Sequence, residues 1–220
     1  MSTELTDIEV RVLGSLIEKQ ITTPEYYPLT LNALTIACNQ KNNRSPVTAY
    51  TDGEVEEALN GLREKNLAYV FHGSTSRVPK YKHVAAEVLQ LAPHELAVMC
   101  SLMLSGAQTV GEIRTRASRM HTFVNLEEVE DTLRALTTRD PDPLVMRLPR
   151  QAGQKEARFA HLIAGEPNVD QLVPEELAPR ATRRGQDAER LEKLEQQTEA
   201  LATEFENLRR QFEEFRKQFE

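Results

Sequence analysis

Closely spaced cations are the only residues in this sequence whose types and spacing suggest a chemistry. Arg114, Arg116 and Arg119 fall within six residues and are followed by His121, and Arg147, Arg150, Lys155 and Arg158 come further on. A second set stands nearer the amino terminus: Gln40, Lys41, Asn42, Asn43 and Arg44, then Arg77, Lys80 and Lys82. Guanidinium and ammonium groups neutralise phosphates and release their counterions, which makes binding salt-sensitive. Asn and Gln amides suit base edges, and suit polar loops equally. These positions are the candidate contacts for double-stranded DNA, set against the plain alternative of a solvated surface.

Other chemistries find no comparable pattern. The histidines His72, His83, His94, His121 and His161 are scattered, with neither the two-His spacing of zinc proteases nor a Cys/His finger, and are expected as surface or hairpin residues. Cys38 and Cys100 lack a second ligand nearby and read as core thiols. No phosphate loop, dinucleotide fingerprint or nucleophile elbow occurs. Carboxylates are plentiful, but they sit at helix starts and on solvated faces. No cofactor, metal or enzymatic activity is expected.

The chain has 220 residues, 40% of them hydrophobic, enough for one large or two small cores. Its net charge of -7 argues against indiscriminate attraction to nucleic acid. The acidity is uneven. Residues 1 to 165 carry 18 Lys or Arg against 20 Asp or Glu, whereas residues 187 to 220 carry 6 against 10. No apolar run reaches the roughly 18 residues of a membrane span, and Met1-Ser2-Thr3-Glu4 does not resemble a signal peptide, so the expected setting is cytoplasmic.

An internal repeat organises these residues. Glu54-Val55-Glu56-Glu57-Ala58-Leu59-Asn60-Gly61-Leu62 returns as Glu128-Val129-Glu130-Asp131-Thr132-Leu133-Arg134-Ala135-Leu136. Upstream, Glu9 to Leu16 resembles Glu95 to Leu102, and copy one carries an insertion among loops holding Tyr26, Tyr27 and Gln40 to Tyr50. Each copy predicts three helices. Their starts are Thr6 with Glu9, Thr30, and Thr51 with Glu54 in copy one; in copy two they are Pro93, Thr109 with Glu112, and Asn125 with Glu128. A hairpin follows in each: Leu67 to His72 with Val78 to Val84, and Leu144 to Leu148 with Ala157 to Ile163. The fold class is mainly α with small β-wings (α+β), as two tandem winged helix-turn-helix domains at 5–85 and 91–165.

Leu5-Thr6-Asp7-Ile8-Glu9-Val10-Arg11-Val12-Leu13-Gly14-Ser15-Leu16-Ile17-Glu18-Lys19, Cys38-Asn39-Gln40-Lys41-Asn42-Asn43-Arg44 and Arg114-Thr115-Arg116-Ala117 resemble the YceH family of bacterial proteins. The resemblance covers roughly residues 5 to 165. It implies the tandem winged-helix fold and a bacterial cytoplasmic setting. It transfers no biochemical activity.

The expected function is DNA binding, as in a transcriptional regulator. Against it stand the acidic starts of both third helices, Asp52, Glu54, Glu56 and Glu57, and Glu127, Glu128, Glu130 and Asp131. The alternative is a non-enzymatic scaffold that docks an unidentified protein on those surfaces.

Residues 166–186 read as a linker containing Pro167, Pro174 and Pro179. Residues 187–220 read as a coiled-coil helix. Leu191, Thr198, Phe205, Phe212 and Phe219 take a positions, and Leu194, Leu201, Leu208 and Phe215 take d positions. In a parallel pair Arg190 meets Glu195 and Glu204 meets Arg209, so the expectation is a parallel homodimer, with a helix folded back on its own chain as the alternative. The apolar seam supplies most of the driving force, at roughly 1.5 to 3 kcal/mol per buried Leu or Phe. Leu201→Asp with Leu208→Asp should convert the dimer to monomer in sedimentation equilibrium, and a monomeric wild type would refute the pairing.

Overall fold

The computed structural model describes residues 4–71, 78–150 and 155–167. The coiled-coil helix expected at 187–220 and the linker from 168 onward lie outside the described residues, as does Arg77. Copy one comprises α1 (Asp7–Thr22), a 3-10 turn (Pro24–Tyr26), α2 (Leu31–Cys38), α3 (Asp52–Glu64) and the hairpin β1 (Ala68–Phe71) with β2 (Lys80–His83). A short helix α4 (Ala85–Val88), which the sequence reading did not anticipate, leads to copy two. There α5 (Pro93–Ser105), α6 (Val110–Ala117) and α7 (Leu126–Thr137) precede β3 (Val145–Arg147) and β4 (Phe159–His161). The fold is mixed, with seven α-helices and two small antiparallel hairpins among the described residues.

The cap residues start the helices as expected. Thr6, Thr51 and Thr109 each accept from the backbone N–H of Glu9, Glu54 and Glu112, whose carboxylates reach back to the cap. Thr30 caps α2 by its side chain alone, and at α7 Asn125 accepts from the N–H of Glu128, whose carboxylate reaches back to the N–H of Val124. At α5 only half of the box exists: Glu95 accepts from the N–H of Ala92 at 2.8 Å, because Ala92 has no side-chain acceptor. The strands are shorter than expected, and α6 begins at Val110, directly after its cap, so that Ile113 lies within the helix.

The copies match beyond their element order. The N–H of Leu67 bonds the carbonyl of Leu62 and the N–H of Val84 that of Leu67; Leu144, Leu136 and Leu162 repeat the pattern. Leu29, just before the cap of α2, exchanges two backbone bonds with Tyr81, at 3.2 and 2.7 Å. Gln108, just before the cap of α6, does the same with Phe159, at 3.0 and 2.8 Å. Each hairpin thus gains, beside its own ladder, an isolated bridge that ties it to the residue ahead of the second helix.

One apolar cluster runs through both copies, from Leu13 and Leu16 through Leu59 and Leu62 to Leu102, Leu133 and Leu136. Its axis is the packing of α1 on α5. Every residue from Glu9 to Glu18 is buried, as is every residue from Leu96 to Ser105, so both helices are enclosed on all sides. Gly14 and Cys100 occupy equivalent repeat positions and touch, the Cys100 thiol donating to the Gly14 carbonyl at 3.3 Å. A Cβ on Gly14 would stand 2.9 Å from a Leu104 methyl, so the approach needs glycine. Cys38 and Cys100 are both fully buried, as core thiols should be.

His83 lies in the hairpin, as expected, but on its buried side. It is 3% exposed, its Nδ1 accepts from the N–H of Ala85 at 3.2 Å, and its Nε2 has no partner. His161, at the matching hairpin position, buries Nδ1 without a partner. Burial holds both rings neutral by lowering their pKa to about 4. Their folded pKa lies below the unfolded value of about 6.5, so stability is full above that pH and falls as pH drops toward 4. Denaturant titrations should show about 2 kcal/mol lost per buried histidine between pH 7 and pH 5. His83→Asn, which keeps an acceptor for Ala85, should remove about half of that dependence; an unchanged slope would refute the assignment.

Candidate nucleic-acid interface

The cations singled out in the sequence divide into two groups, and the division follows local packing. Arg44 belongs inside. Its side chain is fully buried, with Nη1 3.0 Å from Oε1 of Glu18 and Nη2 also on that carboxylate. Nε and Nη2 donate to the Ala37 carbonyl at 3.2 and 2.9 Å. The reason lies in α2, a helix of eight residues whose carboxyl end is buried and leaves carbonyls to satisfy. Arg11, 4% exposed, takes the Cys38 carbonyl at 3.2 Å and that of Pro46 at 2.7 Å. Arg44 is therefore a structural cation and a correction to its expected role as a phosphate ligand.

Arg119 is drawn inward as well. Its guanidinium pairs with Oε1 of Glu18 while keeping 32% of its side chain exposed. Glu18 comes from copy one and Arg119 from copy two, so the carboxylate bridges the repeat. Burial works to raise the Glu18 carboxyl, but the Arg44 hydrogen bonds and charge, with the charge of Arg119, outweigh it and hold the group below the usual carboxylate range. The insertion loop is fastened to the same place, since the N–H of Ser45 donates to the Leu104 carbonyl at 3.0 Å and the Ser105 hydroxyl to that of Asn43 at 3.3 Å. Lys41, Asn42 and Asn43 are exposed on its outer side.

Arg158 is half-buried and engaged. It forms a two-pronged pair with Glu112, at 2.9 and 3.3 Å, and donates to the Ala107 carbonyl at 2.9 Å. This fastens the start of β4 to the first turn of α6.

The remaining cations face solvent. Arg147 and Arg150 are exposed and line a groove of about 610 Å³ between α7, the start of α6 and the second hairpin. Val110, Leu126 and Phe159 form its apolar lining, and Glu130 and Glu156 share its walls. Arg134 lines it too, a residue that the sequence reading passed over; it lies one turn from Asp131, with which it forms an exposed pair at 2.6 Å. Three arginines against two glutamates leave the groove at +1. Arg114 and Lys155 are exposed, and Arg116, Lys80 and Lys82 are half-buried. His121 stacks edge-on against Phe123 at 4.8 Å and stands 3.6 Å from Glu128, a local packing role at the turn before α7.

The third helices carry the opposite charge. Asp52, Glu54, Glu56, Glu57 and Glu64 are exposed on α3, and Glu127, Glu130 and Asp131 on α7. The arrangement can hold phosphates beside α7, at the hairpin, and repels them along α7 itself.

Residues 5–154 match a family described as a protein of unknown function, DUF480. A UPF0502 protein of Geobacter sulfurreducens is 58% identical over 165 residues, covering 75% of this chain and 74% of the relative. One from Geotalea uraniireducens is 54% identical over 199 residues, 90% of each chain, and one from Vibrio campbellii is 45% identical over 201 residues, 90% of this chain and 91% of the relative.

Removing the Glu18 charge would strand Arg44 in the core. Breaking one side of a buried ion pair typically costs about 3 to 5 kcal/mol. Glu18→Gln, nearly isosteric, should lose stability of that order in denaturant unfolding at pH 7, whereas Glu57→Gln on the exposed face of α3 should change it by less than about 0.5 kcal/mol.

Proposed function

We propose that this chain, which belongs to the DUF480 family and thereby to the bacterial family that the sequence resembles, is a non-enzymatic DNA-binding protein made of two winged helices. In this reading it holds duplex phosphates with the second hairpin and its groove, and does not insert α7 into the major groove. The observation that carries the reading is the division of charge: Arg147 and Arg150 stand exposed beside a groove that Arg134 extends, while the outward face of α7 is acidic. The isolated bridge between each hairpin and the segment just before the second helix's cap supports the winged-helix part. Phosphate contacts of this kind give affinity and orientation with little base discrimination. Self-association through residues 187–220 completes the proposal, since a paired chain brings two sets of hairpins to one duplex.

A second reading, a scaffold docking a basic protein partner, is favoured by the exposed acidic stretches on both α3 and α7. The two separate on charge variants. Under the DNA reading, Arg147→Ala with Arg150→Ala should reduce the slope of log affinity against log salt by about 1.8 for a 20-base-pair duplex. Glu127→Gln with Glu130→Gln should strengthen binding by removing repulsion. Absence of duplex binding at 50 mM salt, or an unchanged slope, would refute the DNA reading.

A further inference from the structure

The two hairpins differ on one face. Cross-strand partners share a face, so Tyr69 with Lys82 and Phe71 with Lys80 make the outer face of the first hairpin, opposite Ala68, His83, Val70 and Tyr81. Tyr69 is 38% and Phe71 41% exposed, while Tyr81 and His83 on the inner face are buried. The matching face of the second hairpin is more closed, with Met146 and Arg158 half-buried. There Leu148 and Ala160 are each 6% exposed, and Arg158 is committed to Glu112. Copy one therefore leaves open, with two aromatic rings, a surface that copy two covers more fully.

We infer that the outer face of the first hairpin is a binding surface for single-stranded nucleic acid, with Tyr69 and Phe71 as stacking platforms and Lys80 and Lys82 as phosphate contacts. Charge complementarity selects the occupant. Among the four side chains of this face the only charges are positive, which suits a polyanion, and the two rings offer flat apolar area to flat bases. Lys82 lies 6.0 Å from the centroid of the Tyr69 ring, so ring and ammonium are already arranged side by side.

Spacing selects single strands over duplex. Residues two apart on a strand stand about 7 Å apart, which matches neighbouring bases that have been splayed. Bases stacked within a duplex repeat every 3.4 Å and hide their faces from any side chain. Among the described residues, the four side chains of this face include no carboxylate or amide to read a base edge or distinguish the sugar, so binding should be indifferent to sequence and nearly equal for DNA and RNA. This inference does not rest on the grip proposed for the second hairpin.

The test is fluorescence anisotropy of the full chain with a labelled 12-residue oligothymidylate, the corresponding oligouridylate, and a 12-base-pair duplex. The inference requires both single strands to bind with similar affinity and to survive competition by the duplex. Tyr69→Ala and Phe71→Ala should each weaken single-strand binding by about 5- to 150-fold, and the leucine variants, which keep apolar cover without a ring, should weaken it too. Lys80→Gln with Lys82→Gln should lower the salt slope by about 1.4. All these side chains lie at least partly at the surface, so thermal unfolding should remain within a few degrees of wild type. Absence of single-strand binding at low salt, or leucine variants that bind as wild type does, would overturn the inference. A wild-type chain that binds the duplex but neither single strand would overturn it while leaving the second hairpin's role standing.

Discussion

The carboxylate of Glu18 is the point on which the rest of this structure depends. A single acid at the end of the enclosed stretch of α1 neutralises a buried guanidinium from its own copy and a half-exposed one from the other. A charge so placed is expensive to desolvate, and the site is tenable only because Arg44 also satisfies the end of α2. Its contribution is to fix arrangement. With Arg44 seated, the insertion loop must run where Ser45 and Asn43 meet the end of α5, and with Arg119 seated, α6 of copy two must approach α1 of copy one. The close contact of Gly14 with Cys100 and Leu104 then brings the two central helices together. One apolar cluster through both copies follows from that contact.

This internal use of arginine decides what the surface can do. Arg44, Arg119 and Arg158 are tied to carboxylates, so among the described candidate cations those left for a partner are on the hairpins, on the outer side of the insertion loop and on α6, with Arg134 of α7 beside them in the groove. Exposed acids hold the third helices. Positive charge therefore gathers at the hairpins and negative charge along the third helices. Repetition also left the hairpins unequal. The outer face of the second is more closed, at Leu148 and Ala160, whereas that of the first shows Tyr69 and Phe71.

Much of the architecture was legible in the sequence because caps are local chemistry. Thr6 with Glu9, Thr51 with Glu54, and Thr109 with Glu112 specify helix starts through bonds three residues apart, and the repeat supplied each reading twice. The fate of polar residues was not legible. Glu9, Arg11, Ser15 and Glu18 are polar, yet all four are buried, because partners distant in sequence close over them: Lys65 on Glu9, the Cys38 and Pro46 carbonyls on Arg11, and Arg44 on Glu18. Arg44 looked like its exposed neighbour Lys41 for the same reason, since only the partner Glu18, 26 positions away, separates them. α4 carries no side-chain cap and so gave no start signal. Arg134 was hidden among the acids of α7, and its position in the groove depends on where the second hairpin folds.

α1, α5 and the Glu18 bridge join the two copies into one packed unit, which should unfold cooperatively. Native-state hydrogen exchange tests this most directly, by following amides of α3 and α7 as denaturant is raised below the unfolding midpoint. The account predicts that Leu59 and Leu62 in α3, and Leu133 and Leu136 in α7, converge on a single opening free energy with a single denaturant slope. Two separate limits, with α7 opening at lower free energy while α3 stays protected, would contradict it.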